Sequence, residues 1–135
     1  MNQSRKRVFI AIAAVVFLVL SAGLILNSIG YFVGTTKEYR TYRSFAKRNE
    51  LGMSRQEVFD KLGCPDCLRD SDGYYHSVMY DDRDDFEAGI SADTSTEWHY
   101  DCHEFPDPAN PYRLKIAFDS EGRSESTTFD YVPGG

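Results

Sequence analysis

The chain is short of cysteine, of positive charge and of catalytic motifs, and each shortage excludes something. There are only 3 cysteines in 135 residues, too few and odd in number for a small scaffold built on disulfides. Its 15 Lys plus Arg stand against 21 Asp plus Glu, a formal net charge of -6, whereas a general nucleic-acid binder needs a basic footprint. There is no glycine-rich phosphate loop, no dinucleotide fingerprint and no zincin motif, and His76, His99 and His103 have no Ser or Cys nucleophile pattern beside them. Neither an enzyme nor a small-molecule substrate is therefore expected, and no cofactor. No internal repeat occurs. What is present argues for a folded chain: 41% apolar and 14% aromatic residues supply the surface that disordered chains lack, and the length allows one ordinary domain.

Charge divides the chain in two. Residues 1–50 carry 8 basic and 2 acidic side chains, and residues 51–135 carry 7 basic and 19 acidic, giving +6 beside -12. Within the first part, residues 8–26 hold no charge and one Ser, and residues 29–33 extend the run past Asn27 and Ser28. A helix over 8–33, at about 1.5 Å per residue, is long enough to cross roughly 30 Å of hydrocarbon. It shows no polar stripe, so a soluble core helix is not expected. Arg5, Lys6 and Arg7 form a basic tail (residues 1–7) in front of it. A cleaved secretory signal is the alternative. Against it, the run exceeds the usual apolar core of a signal, and its only small-residue cluster, Ser21-Ala22-Gly23, lies inside the run. A single-pass signal anchor with the lipid bilayer as its partner is the reading. The flanking cations leave orientation near even: three on the amino side, against Lys37, Arg40, Arg43, Lys47 and Arg48 spread beyond the other end.

Residues 34–50 read as a basic juxtamembrane helix or linker, with Tyr39, Tyr42, Phe45 and Ala46 at helical spacing. Its aromatics are expected to pack on the following domain. A second reading sets this face at the lipid headgroups with Arg40, Arg43, Lys47 and Arg48 as membrane-interface residues. Ser54 with Glu57 forms a capping box, Val58, Phe59 and Leu62 form an apolar stripe, and Gly63 and Pro65 end the helix over 54–62. Beyond it the period becomes alternating, which predicts strands over 74–80, 96–102, 112–118 and 124–131. His99 alternates with Trp98 and Tyr100 and is expected to face solvent. Gly122 supplies the hairpin turn before the last strand. Residues 81–93, rich in Asp, read as a solvated loop, and residues 133–135 as a loose tail. The expected fold class is α+β: a transmembrane helix, then a domain over 51–132 of one or two helices on a three- to four-stranded antiparallel sheet.

Three stretches in this order resemble the SmpA/OmlA (BamE-like) family. Gly52-Met53-Ser54-Arg55-Gln56-Glu57-Val58 with Leu62-Gly63-Cys64-Pro65-Asp66 is similar to the family's opening motif. Glu97-Trp98-His99-Tyr100 is similar to its W-x-Y strand. The run from Arg113 to Arg123, with Leu114, Ile116, Phe118, Asp119 and Gly122, is similar to its closing hairpin. The chain departs from the family in having no lipobox Cys and in the acidic stretch 81–93. The resemblance implies a small, non-catalytic, extracytoplasmic (periplasmic) binding or scaffold domain, with an envelope protein as partner and a role as an envelope-assembly accessory.

Compartment decides how the cysteines are read. In an exported domain one structural disulfide is expected, Cys67–Cys102, with Cys64–Cys102 as its near alternative. In a cytoplasm-facing domain Cys64, Cys67, Cys102 and His103 are a Cys₃His set of the right types for zinc, or a redox-sensing group. Cys64-Pro65-Asp66-Cys67 has the C-x-x-C spacing but follows a helix, at the wrong end of its dipole for a thioredoxin-like thiolate.

Overall fold

A computed structural model describes residues 2–28, 36–104 and 107–134. Residues 29–33, expected to lengthen the apolar helix, lie outside the described residues, as do Phe105, Pro106 and Gly135. Helix α1 runs Gln3–Ser28. It therefore begins ahead of Arg5, Lys6 and Arg7 and takes the basic tail into its first turns. It is long and apolar enough to cross a membrane, and its exposed large side chains range from Val16 at 51% to Leu24 at 71%.

The domain that follows is α+β. Helix α2, Lys37–Arg48, starts at Thr36, whose hydroxyl accepts the Tyr39 N–H, and ends on Asn49 in a left-handed conformation. Helix α3, Arg55–Leu62, carries the full capping box: Ser54 Oγ accepts from Glu57 N and the Glu57 carboxylate accepts from Ser54 N at 2.7 Å. Strands β1 (Cys67–Arg69), β2 (Tyr75–Ser77), β3 (Glu97–Cys102), β4 (Tyr112–Phe118) and β5 (Ser124–Tyr131) form one antiparallel sheet in the order β2-β1-β3-β4-β5. A short helix α4, Arg83–Ala88, lies between β2 and β3, flanked by single 3-10 turns at Tyr80–Asp82 and Ile90–Ala92.

Alternation along β3 and β4 puts Trp98, Tyr100, Leu114, Ile116 and Phe118 on one face, all buried. Against them pack Phe45 from α2, Val58 and Phe59 from α3, Phe86 from α4 and Ile90. The indole is boxed by rings, Phe86 at 5.3 Å and Phe118 at 5.1 Å between centroids. Its N–H is shared between Asp93 Oδ2 at 2.9 Å and Ser95 Oγ at 3.0 Å. The same Asp93 oxygen pairs with Arg55 Nε at 3.0 Å, so one carboxylate ties α3 to the tryptophan of the sheet. Tyr100 donates to Gly63 O at 2.8 Å, fixing the end of α3.

Three expectations need correcting. The strand expected over 74–80 is only Tyr75–Ser77, whose residues are all exposed; one more in-register bond, from Val78 N–H to Asp66 O at 2.9 Å, closes it before the turn at Tyr80–Asp82. The sheet has five strands, not three or four. The extra one, β1, is three residues long and is held from both sides, Leu68 standing opposite Trp98 and His76. Residues 81–93 are not a solvated loop: most of their aspartates face water, but Phe86 and Ile90, four apart, close the core. At the tail, Gly134 N–H is held by Asn110 Oδ1 at 2.7 Å.

Candidate functional site

The structure gathers chemistry-bearing residues in three places. The first is α2. Tyr39 meets Tyr112 and Phe129 edge-on, each at 5.1 Å, Tyr42 lies 5.6 Å from Tyr100, and Phe45 is 7% exposed. The aromatic side of α2 is therefore taken up by the domain. Thr36 Oγ1 also donates to Glu104 Oε1, fastening the start of α2 to the end of β3. Lys37, Arg40, Arg43, Lys47 and Arg48 remain exposed on the other side.

The second place is the edge of the sheet beside α2. β5 is a terminal strand eight residues long. Val132 N–H points inward to Pro111 O at 2.9 Å, so alternation along the strand turns the N–H groups of Tyr131, Phe129 and Thr127 outward. The start of that side is taken, Ser124 N–H donating to Met53 O at 2.8 Å and Ser124 O accepting Gly52 N–H at 2.7 Å, and beyond it no strand among the described residues pairs with the edge. Between β5 and α2 lies a groove of about 590 Å³ lined by Tyr39, Arg43, Ala46, Lys47, Thr127 and Phe129 among others. Sequence reasoning named Arg43 and Lys47 but not the groove. Its existence depends on β5 ending the sheet, which no spacing in the chain discloses.

The third place is the sheet face away from the helices. His99 lies on it, as its alternation requires, but it is buried at 1% exposure, against the expectation that it faces solvent. Long neighbours roof it: Tyr75 sits 5.5 Å from the ring, and Cys67 and Lys115 stand opposite it on β1 and β4. With its proton on Nε2, His99 donates to Glu97 Oε2 at 2.9 Å, while Nδ1 has no partner among the described residues. Burial, with Arg113 and Lys115 nearby, outweighs Glu97 and holds the His99 pKa below its ordinary value. For Glu97 burial works the other way, yet the hydrogen bond from His99 and the charges of Lys115 and Arg69 bring its carboxyl below the usual range. Arg113 holds Asp101 through two bonds of 2.7 and 2.9 Å, and Arg69 reaches Glu97 at 3.3 Å. The cations of this face that have partners are paired within it, which describes a fastening of β1, β3 and β4.

The cysteine expectations are not met. Cys64, Cys67 and Cys102 are free thiols. Cys67 stands opposite His99, three residues from Cys102, so the two sit about 10 Å apart along the strand and point to opposite faces of the sheet. A disulfide cannot bridge that offset. Nor are Cys64, Cys67, Cys102 and His103 assembled for zinc: no group of three or more His, Cys, Asp or Glu among the described residues is placed to hold a metal. His103 Nδ1 instead lies 2.8 Å from Pro108 O. Burial pushes all three thiols up, Cys102 to about 12 with help from Glu104, the reverse of what a reactive thiolate needs.

Compared with protein-family models, with curated proteins and with solved structures, the chain finds no match in any of the three.

Proposed function

We propose that this is a single-pass membrane protein that presents its α+β domain as a protein-binding module. The domain acts as a scaffold or assembly accessory of the SmpA/OmlA kind, on the extracytoplasmic side, and carries out no catalysis of its own. Membrane anchoring is supported by α1, which has the length and composition to span and offers no polar face. The extracytoplasmic side and the envelope partner follow from the resemblance of residues 52–131 alone.

The observation that carries protein binding is the free edge of β5 beside its groove. The stretch of β5 from Thr127 to Tyr131, with its outward N–H groups, is a template for an added strand. The core-facing side chains of such a strand would run along the groove, past Tyr39, Arg43 and Lys47. Main-chain bonds would supply affinity and the groove selectivity. The test is a photo-crosslinking residue at Thr128 of the full chain in its native membrane, with and without Thr127→Pro. The proline removes one outward N–H and leaves the bonds to β4 in place. A discrete protein adduct that disappears with the proline is expected. Absence of any adduct, or one indifferent to the proline, sinks the reading.

A further inference from the structure

We infer that the outward side of α2 docks on the anionic headgroups of the bilayer that holds α1, laying the domain against the membrane. Lys37, Arg40, Arg43, Lys47 and Arg48 are all exposed, and Glu38 is the only acidic residue of the helix. The domain has 19 acidic side chains in residues 51–135, ample to neutralise five cations if the fold brought them over. Among the described residues its ion pairs engage Arg55, Lys61, Arg69, Arg83 and Arg113, and none engages these five.

A row of cations with no ion-pair partner among the described residues, along a helix of 12 residues about 18 Å long, is complementary to a sheet of phosphates. Arg40, Arg43 and Arg48 suit that chemistry best, since a guanidinium grips phosphate through two parallel N–H bonds. Proximity selects the bilayer over an acidic protein as the occupant. α1 ends at Ser28 and α2 begins at Lys37, and the eight residues between them span at most about 28 Å. The surface is thus held permanently at high effective concentration next to its ligand, which no partner in solution matches. The aromatic side of the helix takes no part, being covered by the sheet, so the attraction is electrostatic and must yield to salt.

The inference rests on α1 spanning the bilayer, and both are tested with the full chain in nanodiscs. One set is made of phosphatidylcholine alone and another with a third of the lipid anionic. Lysines are labelled with a water-soluble amine reagent and mapped by mass, with Lys115 on the far face of the sheet as internal reference. Labelling of Lys37 and Lys47 relative to Lys115 is expected to fall about fivefold in the anionic discs, the bias of a single cation held at an anionic surface. It should recover at about 1 M salt, where the screening length is near 3 Å. The double variant Arg40→Glu with Arg43→Glu should label alike in both discs. Equal labelling of the native chain in the two lipids overturns the docking while leaving the anchor intact. Protection seen only in native membranes also overturns it and assigns α2 to an acidic protein. Failure of the chain to enter discs overturns both.

Discussion

Replacing Phe45 by alanine separates a helix packed on the domain from one whose ring lies in lipid. Phe45 is 7% exposed and belongs to the core that also holds Tyr100, Leu114 and Ile116. Truncating a buried Phe removes its transfer free energy and leaves a cavity, at about 3–5 kcal/mol. The low end applies here, because α2 lies at the margin of the core and can settle inward. A loss of about 3 kcal/mol is a large share of the roughly 5–15 kcal/mol that hold a domain together. With a urea slope of about 1–3 kcal/mol per molar, the unfolding midpoint should fall by about 1–3 M. Trp98, the single tryptophan, is buried between Phe86 and Phe118, so its fluorescence in the detergent-held full chain reports the transition directly. Lys47→Ala, on the exposed side of the same helix, should move the midpoint by less than about 0.5 kcal/mol equivalent. A Phe45→Ala midpoint equal to that of the native chain would refute the docking of α2 and return its aromatic side to the lipid.

Other expectations follow from the sheet and its turns. His99 has a folded pKa below its unfolded one. Its stabilising contribution is therefore complete above about pH 6.5 and is lost as the pH falls through that value toward the folded pKa. Urea midpoints at pH 7.5 and 5.5 should differ in the native chain and converge in His99→Gln. Equal midpoints in the native chain would mean the ring is not buried neutral. Intact mass after alkylation under non-reducing, denaturing conditions should show three modified thiols, whereas in the folded chain Cys102 should react last, being buried and shifted to about 12. A recovered Cys67–Cys102 bridge would refute the register of β1 on β3. Gly122 has φ +76° and a Cβ there would meet Arg55 Nη1 at 2.3 Å. Gly122→Ala should destabilise by about 1–2 kcal/mol from the left-handed backbone alone, read as a lower midpoint, and an unchanged midpoint would refute the turn.

What could be read from the chain and what could not divide along a physical line. The capping box, the stripe of α3 and the alternation of β3, β4 and β5 are local patterns, visible wherever one face of an element must be buried. β1 escaped because three residues after a proline carry one core side chain and no period. Leu68 becomes part of a strand only through Trp98 and His76 on either side. α4 escaped for a different reason: its charge masked Phe86 and Ile90, which have helical spacing but stand alone. The parity of His99 was right and its exposure wrong, since parity fixes a face and the length of the neighbouring side chains fixes the cover. The cysteines failed because cross-strand register is a relation between distant segments, and composition says nothing about it. The cations of α2 were legible as a group. That they form no ion pair among the described residues was not, because it depends on where the fold sends the acidic residues.

That last point gives the charge division its meaning. A chain of +6 beside -12 invites the idea that the two halves neutralise each other, and the fold declines it: among the described residues no ion pair joins α2 to the acidic stretch 81–93. Arg83 of that stretch pairs with Asp66 instead, and Asp93 with Arg55. Opposite charges kept apart on one small body make it polarised, and a polarised body tethered to a charged surface is turned by it. If α2 faces anionic lipid, the net -12 of residues 51–135 is repelled by the same surface. Attraction at α2 against this net repulsion turns the domain so that α2 leads toward the bilayer. β5 adjoins α2 across the groove, so this rotation would hold its free edge near the membrane, where a neighbour embedded in the same bilayer can present a strand to it. Reversing Arg40 and Arg48, which do not line the groove, should therefore weaken any crosslink from Thr128 to a membrane partner.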